Sequence, residues 1–129
     1  MADHIDTGLR GEDLAADYLS SFGWSIVERR WRDPVGGRGL TDVDIIAVSP
    51  DGVYHFVEVK TRTSVSSGRS DFSPEAAVTP AKARRMLLAA ERYMAVKGLL
   101  AELAVDVIAV CLAADAENPA IRYYPDVAR

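Results

Sequence analysis

Apolar residues recur at helical intervals early in the chain. Leu14, Ala15, Tyr18, Leu19 and Phe22 fall on one stripe, which predicts a helix over residues 7–22, ended by Gly23. The period then changes. WSIVERRW (24–31), VDIIAVS (43–49) and VYHFVEVKT (53–61) are short and rich in β-branched and aromatic residues, so each reads as a strand. Helical spacing returns over residues 80–97, where Ala83, Met86, Leu87, Ala90 and Met94 form the apolar face. Thr79-Pro80 supplies the cap and the first-turn proline, and Gly98 the stop. AVDVIAVCL (104–112) is apolar nearly throughout, as in a strand covered on both faces, and IRYY (121–124) reads as a short last strand. DPVGGRG (33–39) and SVSSGRSDFS (64–73) read as loops.

The order α-β-β-β-α-β, with one further C-terminal strand, predicts an α/β fold with a mixed sheet flanked by helices. The helix between 53–61 and 104–112 makes that pair parallel. The length suits a single domain over residues 1–129, with its core in 8–112 and a C-terminal extension over 113–129.

Pro50-Asp51-Gly52 reads as a three-residue hairpin loop with glycine at its left-handed position. This loop fixes a register in which Ser49 faces Val53 and Asp44 lies opposite Glu58. Tyr54, Phe56, Glu58 and Lys60 share one face of their strand, and His55, Val57 and Val59 the other. Directly opposed carboxylates repel unless one is protonated or a cation lies between them. Two readings are open at this point. Asp44, Glu58 and Lys60 form a partly buried ion-pair cluster, or the two acids and the Val59 carbonyl hold a hard cation such as Mg²⁺, with Lys60 beside its water.

Composition narrows the setting. Apolar residues make up 49% and charged residues 26%, an ordinary globular balance, and no apolar run spans a membrane. The lone cysteine, Cys111, lies in an apolar run and reads as a small core residue of a cytoplasmic protein. One Cys and two widely separated His leave little material for zinc. The net charge of -4 weighs against nucleic acid, but basic residues cluster at 29–38, 60–69 and 82–85, and metal-binding acids inflate the negative count. Asp106, alone in its apolar strand, needs a partner, and a helix arginine is the expected one. Trp24, Trp31, Tyr93, Tyr123 and Tyr124 are assigned to packing.

The ordered set GEDLAADYLSSFGWSIVERRWR, DVDIIAV, FVEVKTR, AVTPAKARR and VDVIAV resembles the uncharacterised bacterial family typified by YraN. That family is similar to Holliday-junction resolvases of the PD-(D/E)XK nuclease superfamily, whose pattern is matched by Asp44…Glu58-Val59-Lys60. The resemblance implies a restriction-endonuclease-like fold and a Mg²⁺- or Mn²⁺-dependent endonuclease acting on nucleic acid, DNA more than RNA, with branched DNA one candidate substrate. A homodimer is also implied. Asp44, Glu58, Lys60 and Glu12 would be the catalytic set, with Asp44, Glu58, Glu12 and the Val59 carbonyl on the metal. Taken alone, Glu12 reads only as a first-turn acid facing the helix dipole. Arg62, Lys82, Arg85, Arg30 and Arg32 are candidate phosphate contacts; each also suits a solvated surface. The chain departs from the family pattern at Thr41-Asp42, in place of Gly-Glu, and at Arg30, in place of asparagine. An alternative on the same fold is a module that binds nucleic acid without cutting it.

Overall fold

The structure is a computed structural model that describes residues 2–34, 42–63, 78–112 and 119–128, with side chains described from Gly8 onward. The elements are α1 (Ala2–Ser21), β1 (Ser25–Arg32), β2 (Asp42–Val48), β3 (Tyr54–Arg62), α2 (Pro80–Val96), β4 (Leu103–Cys111) and β5 (Ala120–Tyr124). They form one five-stranded mixed sheet in the order β1-β2-β3-β4-β5. β3 and β4 are parallel, as the intervening helix requires, and the other neighbours are antiparallel. Most of the loop expected at 33–39 and all of that at 64–73 lie outside the described residues.

The helices cover opposite faces of the sheet. Ala15, Ala16 and Leu19 of α1 pack on Ile45, Ala47, Val57, Ile108 and Val110. Ala83, Met86, Ala89, Ala90, Tyr93 and Met94 of α2 pack on Ile46, Phe56, Val105 and Val107. This double cover explains why β4 lacks apolar–polar alternation: Val105 through Val110 are all buried. α1 starts at Ala2, earlier than the expected residue 7, so Glu12 lies in mid-helix and not in a first turn, whereas α2 follows its signals. Thr79 Oγ1 accepts the Lys82 N–H at 3.1 Å, and Gly98 takes φ 67° past the end of α2. No helix among the described residues is long and apolar enough to cross a membrane.

Three further expectations need correction. Phe22, placed on the buried stripe of α1, lies beyond the helix end and is 60% exposed, touching Tyr18 edge-on. Leu87 is only partly buried; Ala89 and Tyr93 carry the α2 face instead. Cys111 is half-buried, because it ends β4 opposite Ala120 at the start of edge strand β5.

The hairpin adopts the expected register. The Ser49 N–H donates to the Val53 carbonyl at 3.0 Å, and Gly52 has φ 86°. Ile45 pairs with Val57 and Ile46 with Phe56, so Asp44 stands opposite Glu58 where the ladder ends. β1 is less regular. Its register shifts between Ile26 and Glu28, and Arg30 has φ 53°. Consecutive residues of a strand face opposite sides, yet Arg29 and Arg30 both reach Glu12 of α1. The left-handed backbone at Arg30 brings them to the same side. Asparagine tolerates that conformation better than arginine.

Candidate active site at the open end of the hairpin

β2 and β3 separate beyond Ile45 and Val57, and the site is built where their backbones stop pairing. Asp44 fills the gap: its Oδ2 accepts the Val59 N–H at 2.8 Å, replacing a ladder bond. The N–H and C=O of one strand residue point to the same strand edge, so the Val59 carbonyl also faces the β2 side. Glu58 lies on the α2 face and is 5% exposed. Its Oε2 receives Lys60 Nζ at 3.2 Å and Lys82 Nζ, from the first turn of α2, at 3.1 Å. Asp44 lies close enough to Glu58 to feel its charge.

Asp44 carries the cost of this crowding. Burial, and then the Glu58 charge, push its carboxyl up to about 7, with Glu12 adding to the effect and the Val59 N–H opposing it. The folded state thus holds the Asp44 proton more tightly than the unfolded chain does. In metal-free protein, stability should fall as pH rises from the ordinary carboxylate range to about 7, and level off above that. Asp44→Asn should remove this slope and stabilise the metal-free protein by about 1–2 kcal/mol at alkaline pH. Urea unfolding at several pH values in the presence of EDTA measures both effects.

Glu12 approaches from the α1 side. Its Oε1 accepts Arg30 Nε at 3.0 Å and has Arg29 Nη2 at 3.6 Å, while Arg29 also pairs with Asp13 at 2.8 Å. Gly11 makes this approach possible. A Cβ there would stand 2.9 Å from Thr61 Cβ and closer still to its Oγ1, so the bare helix backbone rests directly on β3 just past Lys60. The signal for this was legible but unused: a glycine inside a helix, at no cap, costs about 1 kcal/mol relative to alanine and needs a packing reason.

The remaining basic candidates sit around this site in different states. Arg32 pairs with Asp42 at 3.1 Å, and Arg62 and Arg85 are exposed, at the end of β3 and on α2. Lys82 is turned inward onto Glu58 rather than standing on an outer helix side. Among the described residues no three His, Cys, Asp or Glu side chains gather closely enough to form a ready-made metal cluster. Two facing carboxylates and a backbone carbonyl nevertheless suit a hard cation, which commonly takes one or two protein carboxylates and keeps its waters.

A second polar cluster ties the opposite end of the hairpin to β4 and β5. Asp106, fully buried, faces His55 Nδ1 at 2.6 Å and accepts the Tyr123 hydroxyl at 2.7 Å and the Asp126 N–H at 2.8 Å. Its partners are therefore a histidine, a tyrosine and a backbone amide, not the helix arginine expected from the sequence. Burial and the bond to Asp106 push the Tyr123 hydroxyl up, which keeps it a neutral donor. α2 supplies its arginine elsewhere: Arg92 holds buried Asp33, with Nε to Oδ2 at 2.6 Å. Ser49 Oγ lies 3.1 Å from His55 Nε2, so Ser49, His55 and Asp106 have the connectivity of a hydrolytic triad. The Ser49 hydroxyl, however, is buried and gives its one proton to Asp51, whose carboxylate is an acceptor only. Trp24 covers the imidazole at a ring distance of 4.2 Å. This cluster is a cross-strand tie.

The fold and the paired acids define an α/β protein with a mixed sheet, covered on both faces, and an acidic–basic site at the open end of its central hairpin. The chain belongs to the uncharacterised protein family UPF0102, whose model matches residues 11–110. It is 40% identical over 113 residues to a UPF0102 protein of Rhodococcus jostii, covering 87% of each chain. A Leifsonia xyli relative is 38% identical over 128 residues, 98% of this chain and 99% of that one, and one from Flavobacterium psychrophilum is 37% identical over 110 residues, 85% and 84%.

Proposed function

We propose that this protein is a Mg²⁺- or Mn²⁺-dependent endonuclease that hydrolyses phosphodiester bonds in DNA, with branched DNA as the favoured substrate. The observation that carries the reading is geometric. Asp44 and Glu58 meet at the end of an antiparallel ladder, and Lys60, two residues along the same face, contacts Glu58. This geometry supports the PD-(D/E)XK reading that the sequence resemblance suggests. The substrate class rests on that resemblance.

Asp44 and Glu58 would hold the cation, with the Val59 carbonyl on the same strand edge and Glu12 adding negative charge from α1. A divalent ion bound there supplies a water of lowered pKa and a counter-charge for the phosphate oxygens. Lys60 Nζ has three donors, enough to hold Glu58, orient the attacking water and face the charge that develops on the phosphate. Arg62 and Arg85, with Arg30 and Arg32, would contact flanking phosphates, and binding through them would weaken steeply with salt.

A second reading is favoured by a specific observation. Glu58 and Glu12 are already neutralised by this chain's own basic groups, as in a binding module that keeps the site but does not cut. Labelled branched and linear DNA, incubated with Mn²⁺, separates the two. The nuclease reading expects cleavage that falls at least about 100-fold in Glu58→Ala and Lys60→Ala proteins. Metal-independent binding with no cleavage by the wild-type protein would establish the module instead.

A further inference from the structure

Glu58 carries two ammonium groups on one oxygen, and they arrive by different routes. Lys60 comes from two residues along the same strand, at 3.2 Å, whereas Lys82 comes from α2, at 3.1 Å. The main chain of Lys82 is fixed. Its N–H is capped by Thr79 Oγ1, the next residue, Ala83, donates to the Thr79 carbonyl at 2.9 Å, and Ala83 is itself buried against the sheet. About a third of the Lys82 side chain is exposed (34%), which leaves it solvent to turn into, while Glu58 beneath it is nearly buried (7%).

The formal charges of this group cancel. Ionised Asp44 and Glu58 supply two negative charges, and Lys60 and Lys82 two positive ones. A divalent cation entering this set makes it doubly positive, and phosphodiester groups restore the balance. We propose that Lys82 is a built-in counter-ion of Glu58, which a divalent cation must displace, so that metal uptake frees an ammonium group for a substrate phosphate. The inference rests on the reading of Asp44 and Glu58 as metal ligands, and it assigns Lys82 a positioning part distinct from that of Lys60. Metal alone then binds weakly, and metal and phosphate strengthen each other's binding, because such coupling is reciprocal.

The test measures Mn²⁺ affinity directly, from the electron paramagnetic resonance signal of free Mn²⁺, on the intact chain without nucleic acid. Removing the positive charge that Lys82 holds against Glu58 should tighten binding on the order of tenfold in Lys82→Met. Lys82→Arg keeps the charge and should stay close to wild type. Circular dichroism and the urea midpoint verify that each variant is folded, and Asp44→Ala reports whether uptake occurs at this site. Tighter binding in Lys82→Met but not Lys82→Arg supports the inference. Asp44-dependent uptake that is unchanged or weaker in Lys82→Met overturns it and leaves the nuclease reading standing. If neither wild-type nor Lys82→Met protein takes up Mn²⁺, the carboxylates are not metal ligands and both ideas fall.

Discussion

Asp106→Ala is expected to cost about 3–5 kcal/mol of stability, the range for removing one partner from a buried ionic group. The carboxylate serves three donors on three chain segments: His55 of β3, Tyr123 of β5 and the Asp126 N–H beyond it. Truncation leaves all of them facing a cavity where Asp106 had no solvent contact. Among the described residues no buried side-chain polar atom now lacks a partner, so the loss has nothing to be set against. Urea unfolding followed by circular dichroism measures it as a shift in midpoint. Tyr123→Phe removes only one donor and should cost about 1 kcal/mol. An Asp106→Ala midpoint within error of wild type would mean that the cluster carries no net stability.

The second large effect is expected at Gly11. Gly11→Ala introduces a Cβ that overlaps Thr61, 2.9 Å from its Cβ and Cγ2 and closer to Oγ1. Both groups are fixed, one on a helix backbone and the other on β3 between Lys60 and Arg62, so α1 must lift. Overpacking of this kind costs about 1–3 kcal/mol, even though alanine is intrinsically the better helix former. Because Glu12 follows directly, the lift also withdraws it from Asp44. Thr61→Ala in the same chain removes the Oγ1 and Cγ2 overlaps but leaves the Cβ at 2.9 Å, so it should recover part of the stability, a coupling that a double-mutant cycle reads directly. Additive losses would show that the helix does not rest on Thr61.

Much of the fold was legible because local signals agreed with one another. Pro50-Asp51-Gly52 set the β2–β3 register, and the alternation in YHFVEVKTR then placed Glu58 and Lys60 on one face and Val57 on the other. Thr79-Pro80 and Gly98 bounded α2. The parallel pairing of β3 with β4 followed from the helix between them. Where the reading failed, the deciding partner was distant in sequence. Asp106 was expected to meet a helix arginine, but Arg92 is taken by Asp33, and Asp106 lies between His55 and Tyr123. Lys82 reads from the sequence as a candidate phosphate contact that also suits a solvated helix side, and only the docking of α2 on the sheet turns it onto Glu58.

The sequence by itself determined the elements, the hairpin register and hence the meeting of Asp44 with Glu58, because turn chemistry and strand period act within a few residues. Tertiary structure alone decided which cations neutralise those acids, how closely α1 brings Glu12, and what satisfies Asp106. These depend on the distance between elements, which the bare surface of Gly11 and the packing of the α2 face set and no local pattern encodes.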